Sequence, residues 1–150
     1  MYRHPALVPL SRQHFDALAL CVLVERSLAE DPSESNIRRL AAKIGAAQDV
    51  ELANHFQLEE ELIFPKLPNA LANELIAEHR TLEKLIQSLR LSPSLNLLEQ
   101  FISDLRSHAR KEENQYFQEF QASISEEELA ALLPQLESRA LRACLTDIAS

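Results

Sequence analysis

The chain has 150 residues, of which 46 % are apolar and only one is glycine, and this length suits a single compact domain with a buried core. A single glycine cannot supply the turns of a many-stranded β fold, so the composition predicts an all-α protein. The formal net charge of −8 argues against nucleic acid and anionic membranes as partners, because both are bound by basic patches.

The N-terminal region gives no sign of export or membrane insertion. Its most apolar run, ALALCVLV, lies within a helical pattern, is too short to span a membrane, and is followed by no small-residue cleavage site. The two cysteines, Cys21 and Cys144, suggest neither a disulfide framework nor a metal-binding pair. We therefore expect a reducing, cytoplasmic location.

Prolines and capping residues delimit the first two predicted helices. Pro5 and Pro9 predict an extended N-terminal arm, and Ser11 is the expected cap of a first helix that ends near residue 30. Asp31 is the expected N-cap of the second helix, with Pro32 at its first position. Two further prolines end this helix near residue 64.

A third helix is predicted over about residues 69–91, and the pair Ser92-Pro93 opens a fourth that runs to about residue 120. The capping box at Ser125 starts a C-terminal helical segment, which Pro134 is expected to divide in two.

Apolar residues recur at helical spacing in these segments, and the connections are short. Four such helices predict an up-down-up-down antiparallel four-helix bundle over about residues 11–121. The C-terminal segment, about 125–149, should pack outside the bundle within one domain.

One motif occurs twice. The stretch H55FQLE59 and the stretch H108ARKE112 each place a glutamate four residues after a histidine, and both pairs share a helix face with apolar residues. His14 and His79 lie on the apolar faces of the first and third helices. At a rise of about 1.5 Å per residue, all these groups can converge at one level of an antiparallel bundle.

Two carboxylates and four imidazoles in an apolar core require compensation, which metal ions provide. The nitrogen and oxygen donors favour first-row metals such as iron, and six ligands exceed the need of one tetrahedral zinc. Glu59 and Glu112 are the predicted bridges between two ions, each of which takes two histidines. A ferritin-like site is excluded because no histidine has a glutamate three residues before it.

The combination of His14, H55FQLE59, His79 and H108ARKE112 resembles the hemerythrin-like, or HHE cation-binding, family over about residues 10–120. The resemblance implies a four-helix bundle that holds two iron ions joined by an oxo or hydroxo bridge. Members of the family bind O2 reversibly, respond to nitric oxide or peroxide, or sense iron and oxygen.

The chain departs from the oxygen-carrying members at two positions. Those proteins have a further histidine one turn after the third-helix histidine, where this chain has Glu83. Their last carboxylate ligand follows its histidine by five residues, a place occupied here by Glu113 rather than Glu112. The pattern looks more like the bacterial iron-repair and nitric-oxide-response branch and the animal iron-sensing branch, which argues against simple oxygen carriage.

The roles of several neighbouring residues stay open at this point. Glu83 is either a surface partner of a basic neighbour or an additional ligand. Glu60 and Glu113 are either exposed neighbours of the ligands or acceptors for an imidazole N–H. Tyr116 is a candidate to hydrogen-bond a bridge or a bound oxygen ligand, and His4 is expected to face solvent.

Three functions are compatible with this site. The first is a protein that binds O2 or NO as carrier, scavenger or sensor. The second is a di-iron redox enzyme that turns over peroxide or NO, or donates iron in iron–sulfur cluster repair. The third is a regulatory module controlled by metal occupancy, whose protein partner is left open.

Overall fold

Four long helical rods form the body of the protein, as a computed structural model of the chain shows for residues 2–142. No strand occurs in that range. In chain order, the elements are a 3₁₀ turn at Pro5–Leu7, α1 at Val8–Glu30, α2 at Glu34–Ala47, α3 at Ala53–Leu58, a 3₁₀ turn at Phe64–Lys66, α4 at Ala70–Leu91, α5 at Leu95–Lys111, α6 at Phe117–Ser123 and α7 at Glu126–Arg139.

The second and fourth rods are continuous but locally wider than an α-helix. In the second rod, π-helical turns at Gln48–Leu52 and Glu59–Ile63 flank α3, and in the fourth a π-helical turn at Glu112–Tyr116 joins α5 to α6. The first rod is α1 and the third is α4. The helix α1 packs against α2 and α5, and α4 packs against the same two helices. This ring of four rods confirms the predicted all-α bundle.

Three helix starts differ from the prediction. The first helix, α1, begins at Val8 without a side-chain cap, so the expectation that Ser11 caps it was wrong. The second rod is capped by Ser33, whose Oγ accepts a hydrogen bond from the Asn36 amide at 3.2 Å, and not by Asp31. The Asp31 carboxylate instead accepts from the Ser33 amide at 3.1 Å, which closes a turn before the helix begins. In the same way, Ser94 rather than Ser92 caps α5.

The N-terminal arm is folded, contrary to prediction. His4 is only 8 % exposed, so the expectation that it faces solvent was wrong. Its Nδ1 accepts from the Ala6 amide at 3.0 Å and thereby caps the 3₁₀ turn, while its Nε2 lies 3.0 Å from the Glu126 carboxylate. Because this turn packs against α7, the arm and the C-terminal helix hold each other in place.

Ser125 caps α7 as expected, but Pro134 does not divide it. The helix runs unbroken because Leu132 and Leu136, on either side of the proline, are both buried in the core. Residues 140–142 are not helical, and the rest of the predicted C-terminal extension, with Cys144, lies outside the described residues.

The segment Pro5–Glu30 is long and apolar enough to cross a membrane, which differs from the expectation based on sequence. More than half of its most apolar stretch is buried within the bundle, and core helices and N-terminal signal sequences share this composition. Its buried face also carries Asp16, which receives hydrogen bonds of 2.7 and 2.9 Å from Arg142. Its place in the core accounts for its apolar character.

The core consists of two apolar clusters, one above the other along the bundle. The upper cluster includes Ala17, Leu52 and Leu82, and the lower includes Leu10, Leu58 and Leu75. A polar layer separates the two clusters. In each of the first three rods a histidine lies between the upper and the lower cluster residue just named, and these histidines are His14, His55 and His79.

Candidate metal centre

Six ionisable side chains form the polar layer between the two apolar clusters. Each is at most 4 % exposed, and together they are His14, His55, Glu59, His79, His108 and Glu112. These are the six residues that the sequence predicts as metal ligands, and the structure brings them to one level of the bundle.

The two His/Glu pairs each lie on one turn of one rod. Nε2 of His55 is 3.0 Å from Oε1 of Glu59, and Nε2 of His108 is 2.7 Å from Oε1 of Glu112. Both glutamates are the first residues of π-helical turns. Such turns are often found at functional sites, where the extra residue changes the direction of a side chain.

The carboxylates also contact histidines of other rods. Oε1 of Glu59 lies 3.3 Å from Nε2 of His79, and Oε1 of Glu112 lies 3.2 Å from Nε2 of His14. The result is two groups of ligand atoms, and within each group all the ligand atoms lie within 4.8 Å of one another. One group comprises His14, His55, Glu59 and Glu112, and the other comprises Glu59, His79, His108 and Glu112.

The outer nitrogen of each histidine is held by an acceptor from a neighbouring rod. Nδ1 of His14 lies 2.7 Å from Glu113, and the other three Nδ1 atoms lie 2.8 Å from their partners, which are Gln13 for His55, Glu60 for His79 and Glu78 for His108. The order is cyclic: the first rod supports the second, the second the third, the third the fourth, and the fourth the first.

These contacts fix the tautomers of the imidazoles. A carboxylate or amide oxygen only accepts, so Nδ1 carries the proton and donates it, which leaves a lone pair on the inward Nε2 of a neutral ring. The lone pairs then face carboxylate oxygens, an arrangement that is repulsive unless a cation lies between them. Holding the outer nitrogen in this way is typical of metal-binding histidines.

The hydrogen bonding of the buried atoms provides the test of whether this set fits a metal. Within residues 2–142, six buried atoms of this layer have no hydrogen-bond partner. They are Nε2 of His55, His79 and His108, both oxygens of Glu59 and Oε2 of Glu112. Buried polar atoms without partners are costly, and six in one layer far exceed what a folded core tolerates. Metal ions coordinated by these atoms would satisfy all of them.

The protonation states also suit metal binding. Burial lowers the pKa of His14 and of His108, the latter to about 4, against the opposing hydrogen bonds to Glu113 and Glu78. Neutral imidazoles and ionised carboxylates are the forms that coordinate metals.

Of the residues whose role the sequence left open, Glu60 accepts from His79, and the other three occupy different places. Glu113 accepts from His14 and also receives a 2.6 Å hydrogen bond from Arg3. The Glu83 side chain is 34 % exposed, lies 3.4 Å from Arg80 and belongs to neither ligand group. The Tyr116 hydroxyl donates to the Leu67 carbonyl at 2.9 Å, and burial raises its pKa.

Two of the supporting residues, Gln13 and Glu78, were missed from the sequence. Each directly precedes a ligand histidine of its own helix but supports the histidine of the next rod. The sequence did contain a signal, because all four supporting residues are immediate neighbours of a ligand: Gln13 precedes His14, Glu78 precedes His79, Glu60 follows Glu59, and Glu113 follows Glu112.

Fold and site together define a helical bundle built around a buried cation-binding centre of histidines and glutamates. The family model of the hemerythrin HHE cation binding domain matches residues 8–120, and the chain therefore belongs to this family. This confirms the resemblance noted from the sequence. A search of curated proteins gives no match.

Proposed function

We propose that this chain is a cytoplasmic non-heme di-iron protein that binds O2 or NO reversibly, as carrier, scavenger or sensor. One observation carries the proposal: two groups of buried ligand atoms share both carboxylates. His14 and His55 would hold one ion, His79 and His108 would hold the other, and Glu59 and Glu112 would bridge the pair.

The donor set supports iron. Four imidazole nitrogens and carboxylate oxygens suit borderline first-row ions, and thiolate ligands, which favour softer ions, are absent from both groups. Bound iron would supply two adjacent centres with open coordination positions and a change of oxidation state.

Aromatic side chains keep the imidazoles in place and exclude water. The Phe56 ring stacks on His79 with centroids 4.0 Å apart and an interplanar angle of 15°, and Phe117 stacks on His14 at 5.5 Å. A dry, apolar surround suits a small diatomic ligand better than a charged substrate. Beside Phe56, a surface cavity of about 420 Å³ reaches Glu60 and Arg80, and this is a suitable entry for such a ligand.

A di-iron redox enzyme is the second candidate, and the position of Glu83 favours it. Oxygen carriers of the family have a further histidine ligand at this position, whereas here the Glu83 carboxylate contacts Arg80 at the surface. One coordination position would therefore be left for a second small molecule. Turnover of peroxide or NO, or iron donation in iron–sulfur cluster repair, would use such positions.

A metal-dependent regulatory module is the third candidate. Because the ligands come from all four rods, bound metal would stabilise the bundle and chelation would loosen it. An unchanged melting temperature after chelation would rule out this role without touching the first two.

The proposal is tested by the metal content and absorption spectrum of protein produced with supplemental iron. We expect about two irons per chain and near-ultraviolet bands of a bridged ferric pair. After reduction, a visible band that appears with O2 or NO and disappears under vacuum supports reversible binding. Rapid irreversible oxidation supports the redox enzyme instead.

Protein without metal, or with a single zinc, would overturn the proposal. The matched control is Glu83→Ala, which removes a glutamate of α4 that lies outside both ligand groups. Its metal content and spectrum should equal those of the unmodified protein.

A further inference from the structure

The four supporting contacts differ in charge, although their geometry is similar. Three of the ligand histidines donate to carboxylates, and only His55 donates to an amide, that of Gln13. The ring of supporting contacts therefore has one uncharged link, and that link lies in the ligand group of His14 and His55.

The orientation of Gln13 is well determined. Its Nε2 donates to Oδ1 of Asn54 at 2.9 Å and to the carbonyl of Leu141 at 2.6 Å, so its Oε1 must face His55. Asn54 is fixed in turn, because its Oδ1 also accepts from the Leu141 amide at 2.9 Å and its Nδ2 donates to the Arg139 carbonyl at 3.0 Å. The amide is 2 % exposed and stays neutral at any pH.

The cations that pair with the supporting carboxylates increase the difference in charge between the two ligand groups. Glu113, which supports His14, is paired with Arg3, whose side chain is only 14 % exposed. Glu60 is paired with Arg80, which is 50 % exposed and is therefore a better-solvated and weaker neutralising partner. Thus the His14/His55 group has a single carboxylate behind it, and that carboxylate is the one with the most buried counter-charge.

The His79/His108 group has two supporting carboxylates. Glu60 accepts from His79, and Glu78 accepts from His108 and contacts Lys111. An imidazole that donates to a carboxylate is more basic at its other nitrogen, and it binds a metal ion more strongly than one that donates to an amide. The bridging glutamates are common to both groups and do not discriminate between them.

We propose that Gln13 makes the two metal positions unequal, so that a divalent ion fills the His79/His108 position first and the His14/His55 position second and more weakly. The inference rests on the proposed function only in taking the six buried side chains as metal ligands. The weaker position is then the exchangeable one, from which an ion leaves first when metal is scarce.

The test is a titration of the metal-free full chain with Co²⁺ without oxygen, followed by the visible absorption of the bound ion and by competition with a chelator. We expect two steps that differ by about 10- to 100-fold in affinity, which is the effect of a supporting carboxylate on a metal-binding histidine.

A matched pair of substitutions identifies which position fills first. Glu78 and Glu113 are similarly exposed, at 28 % and 25 % of their side chains, and both accept from a ligand histidine. Glu78→Gln should weaken the first step and narrow the gap between the two affinities. Glu113→Gln should weaken the second step and widen the gap. A general disturbance of the structure would not change the gap between the two affinities in opposite directions in the two variants.

Gln13→Glu supplies the missing charge and should strengthen the second step about 10-fold or more. Glutamate has no donor for Leu141 and Asn54, so circular dichroism and the urea midpoint accompany this variant. If the Gln13→Glu variant does not fold, the variants Glu78→Gln and Glu113→Gln still show which position fills first.

Two results would overturn the inference while leaving the proposed function intact. One is a single step for two ions in the unmodified protein, and the other is a shift of the gap in the same direction by both Glu→Gln substitutions. A chain that binds no Co²⁺, or binds it equally well after Glu59→Ala, would instead overturn the proposed function.

Discussion

Glu59 and His79 belong to different rods, yet Oε1 of Glu59 lies 3.3 Å from Nε2 of His79. The same carboxylate lies 3.0 Å from His55 of its own rod and belongs to both ligand groups. Glu59→Ala should therefore remove a ligand from both positions at once, and we expect loss of nearly all bound metal. Elemental analysis of the purified variant measures this.

Glu83→Ala is the control for that substitution, because the Glu83 carboxylate pairs with Arg80 at the surface and belongs to neither ligand group. It should keep full metal content. Equal iron in the two variants would show that Glu59 does not bridge.

Tyr116→Phe should lower stability by about 1 kcal/mol without changing the metal centre. The lost hydrogen bond is the 2.9 Å contact to the Leu67 carbonyl, which still accepts from the Asn69 amide, so the cost stays modest. Thermal unfolding gives the stability. A shifted absorption spectrum of the iron-loaded variant would instead indicate that the hydroxyl reaches the centre or its ligand.

His4→Ala should destabilise the protein by about 1 kcal/mol or more, since it removes the cap of the 3₁₀ turn and a contact to α7. Glu126→Ala, which changes the 79 % exposed partner of that contact, should cost less than about 0.5 kcal/mol. Urea unfolding of both variants separates the cap from the ion pair. Equal losses would mean that the ion pair, and not the cap, holds the arm.

The stability of the metal-free protein should fall as the pH drops from about 6.5 towards 4. Burial lowers the pKa of His108 to about 4 in the folded chain, whereas histidine in an unfolded chain titrates near 6.5. Between these values the unfolded state binds more protons, so acid favours unfolding, by about 2 kcal/mol at pH 5 from this group.

Urea midpoints at pH 7 and pH 5 in the presence of chelator measure this dependence, and His108→Asn should flatten it. A second loss is expected below about pH 4.5, because the contacts of Glu78 and Glu113 with histidines and cations lower both carboxyl pKa values to about 2, against the effect of burial. Stability that is constant from pH 7 to pH 5 would show that the buried histidines do not titrate as the structure implies.

Helical periodicity and the repeated motif were sufficient to predict the bundle and to choose the six buried residues, because both depend on spacing within one helix. The supporting residues Gln13 and Glu78 depend on which rods are neighbours and how each is rotated about its axis. A single sequence carries little of that information, although their position beside the ligands was visible.

Local signals misled where two candidates competed or where packing outweighed propensity. Asp31 and Ser33 are both good caps, and the turn closed by the first leaves the helix to the second. Pro134 lacks a donor, but the buried leucines around it hold α7 together. His4 was judged by its proline neighbour, whereas its burial comes from the packing of the N-terminal 3₁₀ turn against the distant helix α7.

The cyclic order of the supporting contacts has a mechanical consequence. Every rod both gives an acceptor to the next rod and receives one from the previous rod, so each takes part in two of the four contacts. A slip of any rod by one turn, about 5.4 Å, would break two contacts together. Apolar contacts are non-directional, whereas these hydrogen bonds depend closely on distance and direction. The ring of four hydrogen bonds thus fixes the register of the four rods, that is, their relative positions along the bundle axis, from a single level of the bundle.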